Sequence, residues 1–254
     1  MAESCGSGHL GGSLSVMDIL VALYFQVAKN DPKNPKWDDR DRIILSKAHC
    51  CEALYAVLGE RGYFNKGHFI FFGEWEDILP GHAECCTPGV EFSGGSLGQG
   101  LSFAIGKALA GKRQNKNYKV YCILGDGECH EGQVWEAAMA AAQYKLDNLV
   151  VIVDYNKHSS EPEPLSEVMN VAVLENKWRS FNWFAHTVID GNDMDELLVS
   201  IQNASNLTKG IPNCVIAHTT KGKGVKLWEN ESPHLVYGEM LRKGIEEWRS
   251  IHGT

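Results

Sequence analysis

The stretch GDGECHEGQVWEAAMAAAQYKLDNLVVIVDYN, residues 125 to 156, decides how the chain is built. It opens on a Gly-Asp-Gly turn that follows the apolar run KVYCIL (119–124). Its middle, GQVWEAAMAAAQYKL (132–146), is rich in Ala and in unbranched residues that favour helix. It returns through NLVVIVD (148–154), a short β-branched run, to Asn156. Strand, helix and strand within about thirty residues make one βαβ unit with parallel strands. Asp126 and Asn156 therefore both emerge at the carboxyl edge of a sheet, where open α/β sheets bind ligands.

The same alternation extends in both directions. SVMDILVALYFQVAK (15–29) has helical apolar spacing, RIILS (42–46) reads as a buried strand, and CEALYAVLGERG (51–62) as a helix ending on Gly. Further helices are predicted at 96–112, 174–181 and 194–204, and further strands at 183–189 and 213–219. This pattern predicts an α/β fold, a doubly wound, mostly parallel sheet with helices on both faces, as a single domain over 1–254. The irregular stretch 63–95 is long for a loop in a compact domain, which points to function.

With 254 residues, 44% of them hydrophobic, the chain can bury a full core. A net charge of −8 argues against a nucleic-acid or anionic-membrane surface. The opening MAESCGSGHLGG has no basic n-region, so no signal peptide is expected. The apolar run around ILVALYF (19–25) reads as too short for a bilayer, and a cytoplasmic location is expected. The eight cysteines show no C-x-x-C spacing and are expected to be reduced thiols rather than zinc ligands. HAECC (82–86) carries the His-x-Glu of zinc deaminases without the Pro-Cys-x-x-Cys half, and that reading is rejected.

Asp126 and Asn156 offer one charged and one neutral oxygen donor, a set that suits Mg²⁺ or Ca²⁺. Two protein side chains leave coordination positions that Mg²⁺ typically fills with phosphate oxygens and water. Gly125 and Gly127 let backbone approach an anion, and a helix beginning near Glu128 to Gly132 would offer orphan N–H groups to phosphate. The residues together predict a metal-bridged diphosphate site. GGSLGQG (94–100) also suggests a dinucleotide turn, but no apolar strand precedes it.

At this point the chain resembles the transketolase family. SGHLGGSLSVMDIL (7–20), NPKWDDRDRIILSKAH (34–49), LPGHAE (79–84), GGSLGQGLS (94–102), GDGECHEGQVWE (125–136) and HTTKGKGV (218–225) are similar to transketolase segments, in the family's order. The resemblance runs along the whole chain but matches only the diphosphate-binding domain. It is similar to the N-terminal subunit of split transketolases. It implies thiamine diphosphate as cofactor and transfer of a two-carbon ketol unit from a ketose to an aldose. It also implies sugar or sugar-phosphate substrates, a partner chain carrying the pyrimidine-binding domain, and an α₂β₂ assembly. The isolated chain would then bind cofactor weakly and catalyse little.

The resemblance further implies residue roles. Asp126, Asn156 and the backbone carbonyl of His158 would bind Mg²⁺ or Ca²⁺. Gly125 and Gly127 would meet the diphosphate. Gly95, Ser96 and Leu97 resemble a Gly-Pro-Leu segment that touches the aminopyrimidine, with Ser96 replacing Pro. His49 would contact cofactor, and His9 and His82 would line the cofactor and substrate channel. His234, in ESPHLVYG, matches a substrate-contacting His, although Leu235 follows where the family tends to have Gly. Glu131 would belong to an acidic relay between paired active sites; read from the residues alone, it sits in a helical first turn and favours the dipole. His130, His186, His218 and the side chain of His158 have no such support. Two alternatives stay open. One is the α subunit of a 2-oxo acid dehydrogenase E1, which usually has a second Asn beside the metal-binding one. The other is a non-catalytic cofactor-binding subunit.

Overall fold

The computed structural model describes residues 1–160, 163–206 and 209–253. Strands β1 (Arg42–Leu45), β2 (Val120–Gly125), β3 (Leu149–Tyr155), β4 (Phe184–Val188) and β5 (Asn213–His218) form one sheet in the order β1-β2-β3-β5-β4. Every pairing in it is parallel. β1 and β2 and nearly all of β3 and β5 are buried, which is why they read as continuous apolar runs. The two-residue period sorts their side chains between two cores. Ile43, Leu45, Tyr121, Ile123, Val150 and Ile152 enter one, and Ile44, Cys122, Leu124, Val151 and Val153 the other.

The principal helices are α1 (Leu10–Ala22), α2 (Cys51–Arg61), α3 (Gln99–Arg113), α4 (Gly132–Gln143), α5 (Leu174–Ser180), α6 (Met194–Asn206) and α7 (Gly238–His252). α1, α2 and α6 send Val16, Ile19, Leu54, Leu58, Leu197 and Ile201 into the first core. α3, α4 and α5 send Leu101, Ala104, Val134, Ala138, Leu174 and Trp178 into the second. Helices therefore cover both faces, as the alternating sequence pattern predicts. The chain leaving β1 turns onto the first face through α2, and the chain leaving β2 turns onto the second through α4. That divergence opens a crevice at the carboxyl ends of β1 and β2.

Three features depart from the sequence reading. α1 starts five residues before the predicted Ser15 and continues through a π-helical turn, Leu23–Val27. Its first turn contains Gly11 and Gly12, poor helix formers that hid the start. Packing explains them: a Cβ on Gly11 would lie 2.3 Å from Ser232 Oγ, and one on Gly12 2.8 Å from Cys50 Sγ. The joined helix Leu10–Val27 has 18 residues and a mean hydropathy of 1.6, so it is longer and more apolar than the short run read from sequence. By length and composition it passes for a membrane span, yet half of it is buried here against the sheet and its neighbouring helices.

The second departure is α7, which the sequence reading did not anticipate. Gly244 interrupts its pattern because Trp228 packs there; a Cβ at 244 would lie 2.1 Å from the indole ring. Val225, Trp228, Val236 and Leu241 form a third small core beneath α7. The third concerns the segment 63–95, irregular apart from a 3₁₀ turn at Lys66–Phe71 but firmly tied down. Tyr55 Oη lies 3.0 and 2.9 Å from the carbonyl oxygens of Pro80 and His82. The amides of Ala83 and Gly94 donate to Ala48 and Ala83 carbonyls at 3.1 and 2.9 Å. This loop carries His82 to the crevice.

Candidate active site

The residues singled out in sequence meet where the strands end. Asp126 follows β2, Asn156 follows β3, and His49 follows β1. The resulting cleft has a volume of about 450 Å³. Gly95, Leu97, Gly125, Asp126, Gly127, Glu131, Asn156 and His158 line it, and so do His49, His82 and His234. Ser96, between two lining residues, is itself exposed and does not line the cleft. Gly95 has open space where a Cβ would sit, which keeps that wall low.

Four histidines from four distant segments converge above the floor. The ring of His9 lies 5.5 Å from His49, 5.8 Å from His82 and 4.9 Å from His234. His49 and His234 are 5.0 Å apart. A short antiparallel pairing of Ser7–Gly8 with Val236–Tyr237 brings His9 and His234 together, which sequence proximity could not show. Burial pushes His49 down to about 2, aided by the Lys47 charge, and His234 down to about 4, aided by His9. His9 is lowered for the same reason, with His82 adding to it. These three rings are therefore neutral near pH 7, able to donate one hydrogen bond and accept another. Buried Glu52 fixes the start of this cluster: it accepts from the His9 amide at 2.7 Å and from Ser13 Oγ at 2.9 Å.

Below the histidines lie the oxygen donors. Asp126 is 2% exposed, and its carboxylate accepts from the amides of Gly127 and Lys157. Burial, then the nearby Asp154, pushes its carboxyl up to about 7. Asn156 Oδ1 accepts from the His158 amide at 3.0 Å, and its Nδ2 donates to Ser15 Oγ at 3.1 Å. Among the described residues, no group of three His, Cys, Asp or Glu side chains is placed to hold a metal. A cation here would take Asp126, Asn156 and the His158 carbonyl, an all-oxygen set completed by ligand or water. The residues fit such an ion: a nearly buried carboxylate held up to about 7 lacks a full countercharge, and a divalent cation supplies one.

Sequence reasoning missed the buried scaffold beneath this site. Lys47 pairs with Asp154 at 2.6 Å, with both side chains almost wholly buried. Asp154 also accepts from Ser15 Oγ at 2.6 Å and from Thr219 Oγ1. Glu128 accepts from Ser46 Oγ, from the Gly98 amide at 2.7 Å and from the Gly125 amide at 3.1 Å. It thus ties together the ends of β1 and β2 and the start of α3. Buried Lys221 enters the cleft from beyond β5. The available signal was a charged residue closing an apolar run, as in NLVVIVD and RIILSK. His130 and His158 also line the cleft, the former with Nε2 2.8 Å from the Met169 carbonyl oxygen. His186 and His218 stand outside it; His218 packs on Tyr155 at 4.8 Å.

The structure refines two expectations about the Asp126 turn. The segment Gly127–His130 is a 3₁₀ turn capped by the Asp126 side chain, and the helix proper starts only at Gly132. Glu131 accordingly precedes the first turn of α4, in an extended conformation, exposed and without a capping hydrogen bond. Glu131 is the N-cap of that helix, so its carboxylate still sits at the positive end of the helix dipole, and it lies at the rim of the cleft.

This arrangement has close relatives. A family model described as "Transketolase, thiamine diphosphate binding domain" matches residues 1–254. The chain belongs to the transketolase family. It is 41% identical over 223 residues to one subunit of the apulose-4-phosphate transketolase of Phocaeicola vulgatus, covering 88% of this chain and 78% of that one. It is 42% identical over 227 residues to a 6-deoxy-6-sulfo-D-fructose transketolase subunit of a Clostridium species, covering 89% and 82%. The fold superposes on the transketolase of Campylobacter jejuni with a TM-score of 0.91 at 30% identity, over 99% of this chain but 40% of that one. The chain is thus the thiamine diphosphate-binding N-terminal domain of a transketolase, and it spans about two-fifths of that solved enzyme. The 2-oxo acid dehydrogenase alternative is set aside on these matches.

Proposed function

We propose that this chain is the N-terminal subunit of a two-chain transketolase that moves a two-carbon ketol unit from a ketose to an aldose. The observation that carries the reading is the placement of four histidine rings over a floor holding Asp126 and Asn156. Thiamine diphosphate, when bound, supplies a nucleophilic carbon and an electron sink for C–C cleavage. This chain's residues do the rest of the work assigned to it. Asp126, Asn156 and the His158 carbonyl would hold Mg²⁺ or Ca²⁺, and Gly125 and Gly127 would leave room for the diphosphate. Lys221 adds positive charge toward the same anion. His49, Gly95 and Leu97 border the cofactor, with Ser96 beside them.

His9, His82 and His234 face the substrate side and pass protons at sugar hydroxyls. The neutral imidazoles of His9 and His234 suit this, since a neutral ring both accepts and donates. The two relatives are each named as one subunit of a transketolase, which supports a partner chain that carries the pyrimidine-binding domain. Assembly is proposed as α₂β₂, with Glu131 at the rim between paired sites.

Calorimetric titration of thiamine diphosphate with Mg²⁺ tests the reading, on the chain alone and mixed with the pyrimidine-domain subunit. Tight binding only in the mixture, lost in Asp126→Ala, is expected, together with ketol transfer. No binding in either sample would refute the cofactor site; full turnover by the chain alone would refute the two-chain reading.

A further inference from the structure

An asparagine serves as a metal ligand only if its oxygen, not its nitrogen, faces the ion. The two ends of the amide are nearly isosteric, so the hydrogen-bond surroundings choose between them. At Asn156 the choice is made from both sides. The His158 amide N–H points at one end and demands an acceptor there, 3.0 Å away. Ser15 Oγ sits at the other end, 3.1 Å away, and decides what it will tolerate.

Ser15 is fully buried and has one proton to give. Its Oγ lies 2.6 Å from Asp154 Oδ2 and 3.0 Å from the Gly12 carbonyl. The carboxylate is the nearer and charged acceptor, so it takes the proton. Asp154 in turn can only accept, and it is held fixed by Lys47 at 2.6 Å and by Thr219. The Ser15 lone pairs therefore face Asn156, where only the NH₂ end fits. We propose that Ser15 is the positioning residue for Asn156: committed as a donor to Asp154, it turns the amide so that Oδ1 is presented to the cation. Ser15 lies on α1, far in sequence from Asp154 and Asn156, which sit on and just after β3. The inference rests on Asp126 and Asn156 forming a cation site.

The full chain, alone and mixed with the pyrimidine-domain subunit, is titrated with Mn²⁺ in the presence of thiamine diphosphate. Free Mn²⁺ is read by electron paramagnetic resonance. Removing a partner that orients a metal ligand commonly weakens affinity 10–100-fold. Ser15→Ala and Ser15→Gly are expected to weaken Mn²⁺ binding about 10-fold or more. Thr219→Val removes a donor from the same Asp154 carboxylate without touching Asn156, and is expected to stay within about twofold of wild type. Melting temperatures without metal confirm that each variant folds. Wild-type affinity in both Ser15 variants would overturn the proposal. Equal weakening in Thr219→Val would also overturn it, because general damage to the Asp154 network would then suffice. Absence of Mn²⁺ binding by wild type in both samples would overturn the cation site itself, and this proposal with it.

Discussion

Lys47→Met should be among the most damaging single changes outside the apolar core. Lys47 and Asp154 lie 2.6 Å apart with side chains 3% and 0% exposed. Burial alone would lower the Lys47 ammonium's affinity for its proton, yet the Asp154 charge outweighs it and raises that affinity. Removing one partner of such a pair leaves a buried charge uncompensated, which costs about 3–5 kcal/mol. Ser15 and Thr219 still donate to Asp154, so the lower end, about 3 kcal/mol, is expected. Asp154→Asn in the same chain removes the stranded charge, so the double variant should recover about 1–2 kcal/mol of that loss. Lys66–Glu60 provides the contrast: its 2.8 Å distance is similar, but the side chains are 54% and 59% exposed. Lys66→Met should change stability by less than about 1 kcal/mol. Urea denaturation of the metal-free chain measures all four proteins, with the midpoint shift read at constant slope. A loss below about 1 kcal/mol in Lys47→Met, or a double variant no more stable than the single, would refute the reasoning.

Other changes report on other parts of the structure. Glu128→Gln replaces one acceptor oxygen by a donor facing Ser46 or a backbone amide, and should cost about 2 kcal/mol by the same urea assay. Gly244→Ala drives a methyl into the Trp228 ring, so a loss of about 1–3 kcal/mol and a changed Trp228 environment are expected by fluorescence. In a proton and carbon NMR titration, His49 should keep its neutral-imidazole shifts down to pH 5 and His234 should titrate near pH 4. Both folded values lie below the ordinary 6.5, so the unfolded chain takes up protons first as pH falls. Their contribution to stability is full above about 6.5 and is lost progressively below it. Burial raises Asp126 in the opposite sense, so the individual resonances rather than total stability separate the groups. A His234 midpoint at 6.5 would show that its ring is not held in the buried cluster.

Much of the fold was legible because local signals agreed. Apolar β-branched runs closed by polar residues fall on β1, β2, β3 and β5, and the Ala-rich 132–146 run falls on α4. The signals failed where glycine serves packing. Gly11, Gly12 and Gly244 look like breaks in a sequence, yet each gives up helix propensity to let another side chain approach. The helix after Asp126 begins at Gly132 as its sequence run predicts, while the 3₁₀ turn over Gly127–His130 that precedes it carries no distinct sequence signal.

By itself the sequence determined the alternation of strand and helix, and the placing of Asp126 and Asn156 at one sheet edge, because a βαβ unit of that length leaves little choice. It determined the ordered motifs that mark the family as well. Only the tertiary structure decided that His9, His49, His82 and His234 form one cluster, since four separate segments must be folded before their rings come within 4.9–5.8 Å. It alone decided that Glu128, Lys47 and Asp154 are buried supports rather than surface charges. Whether a charge is solvated or enclosed depends on what packs around it, and those neighbours come from elsewhere in the chain.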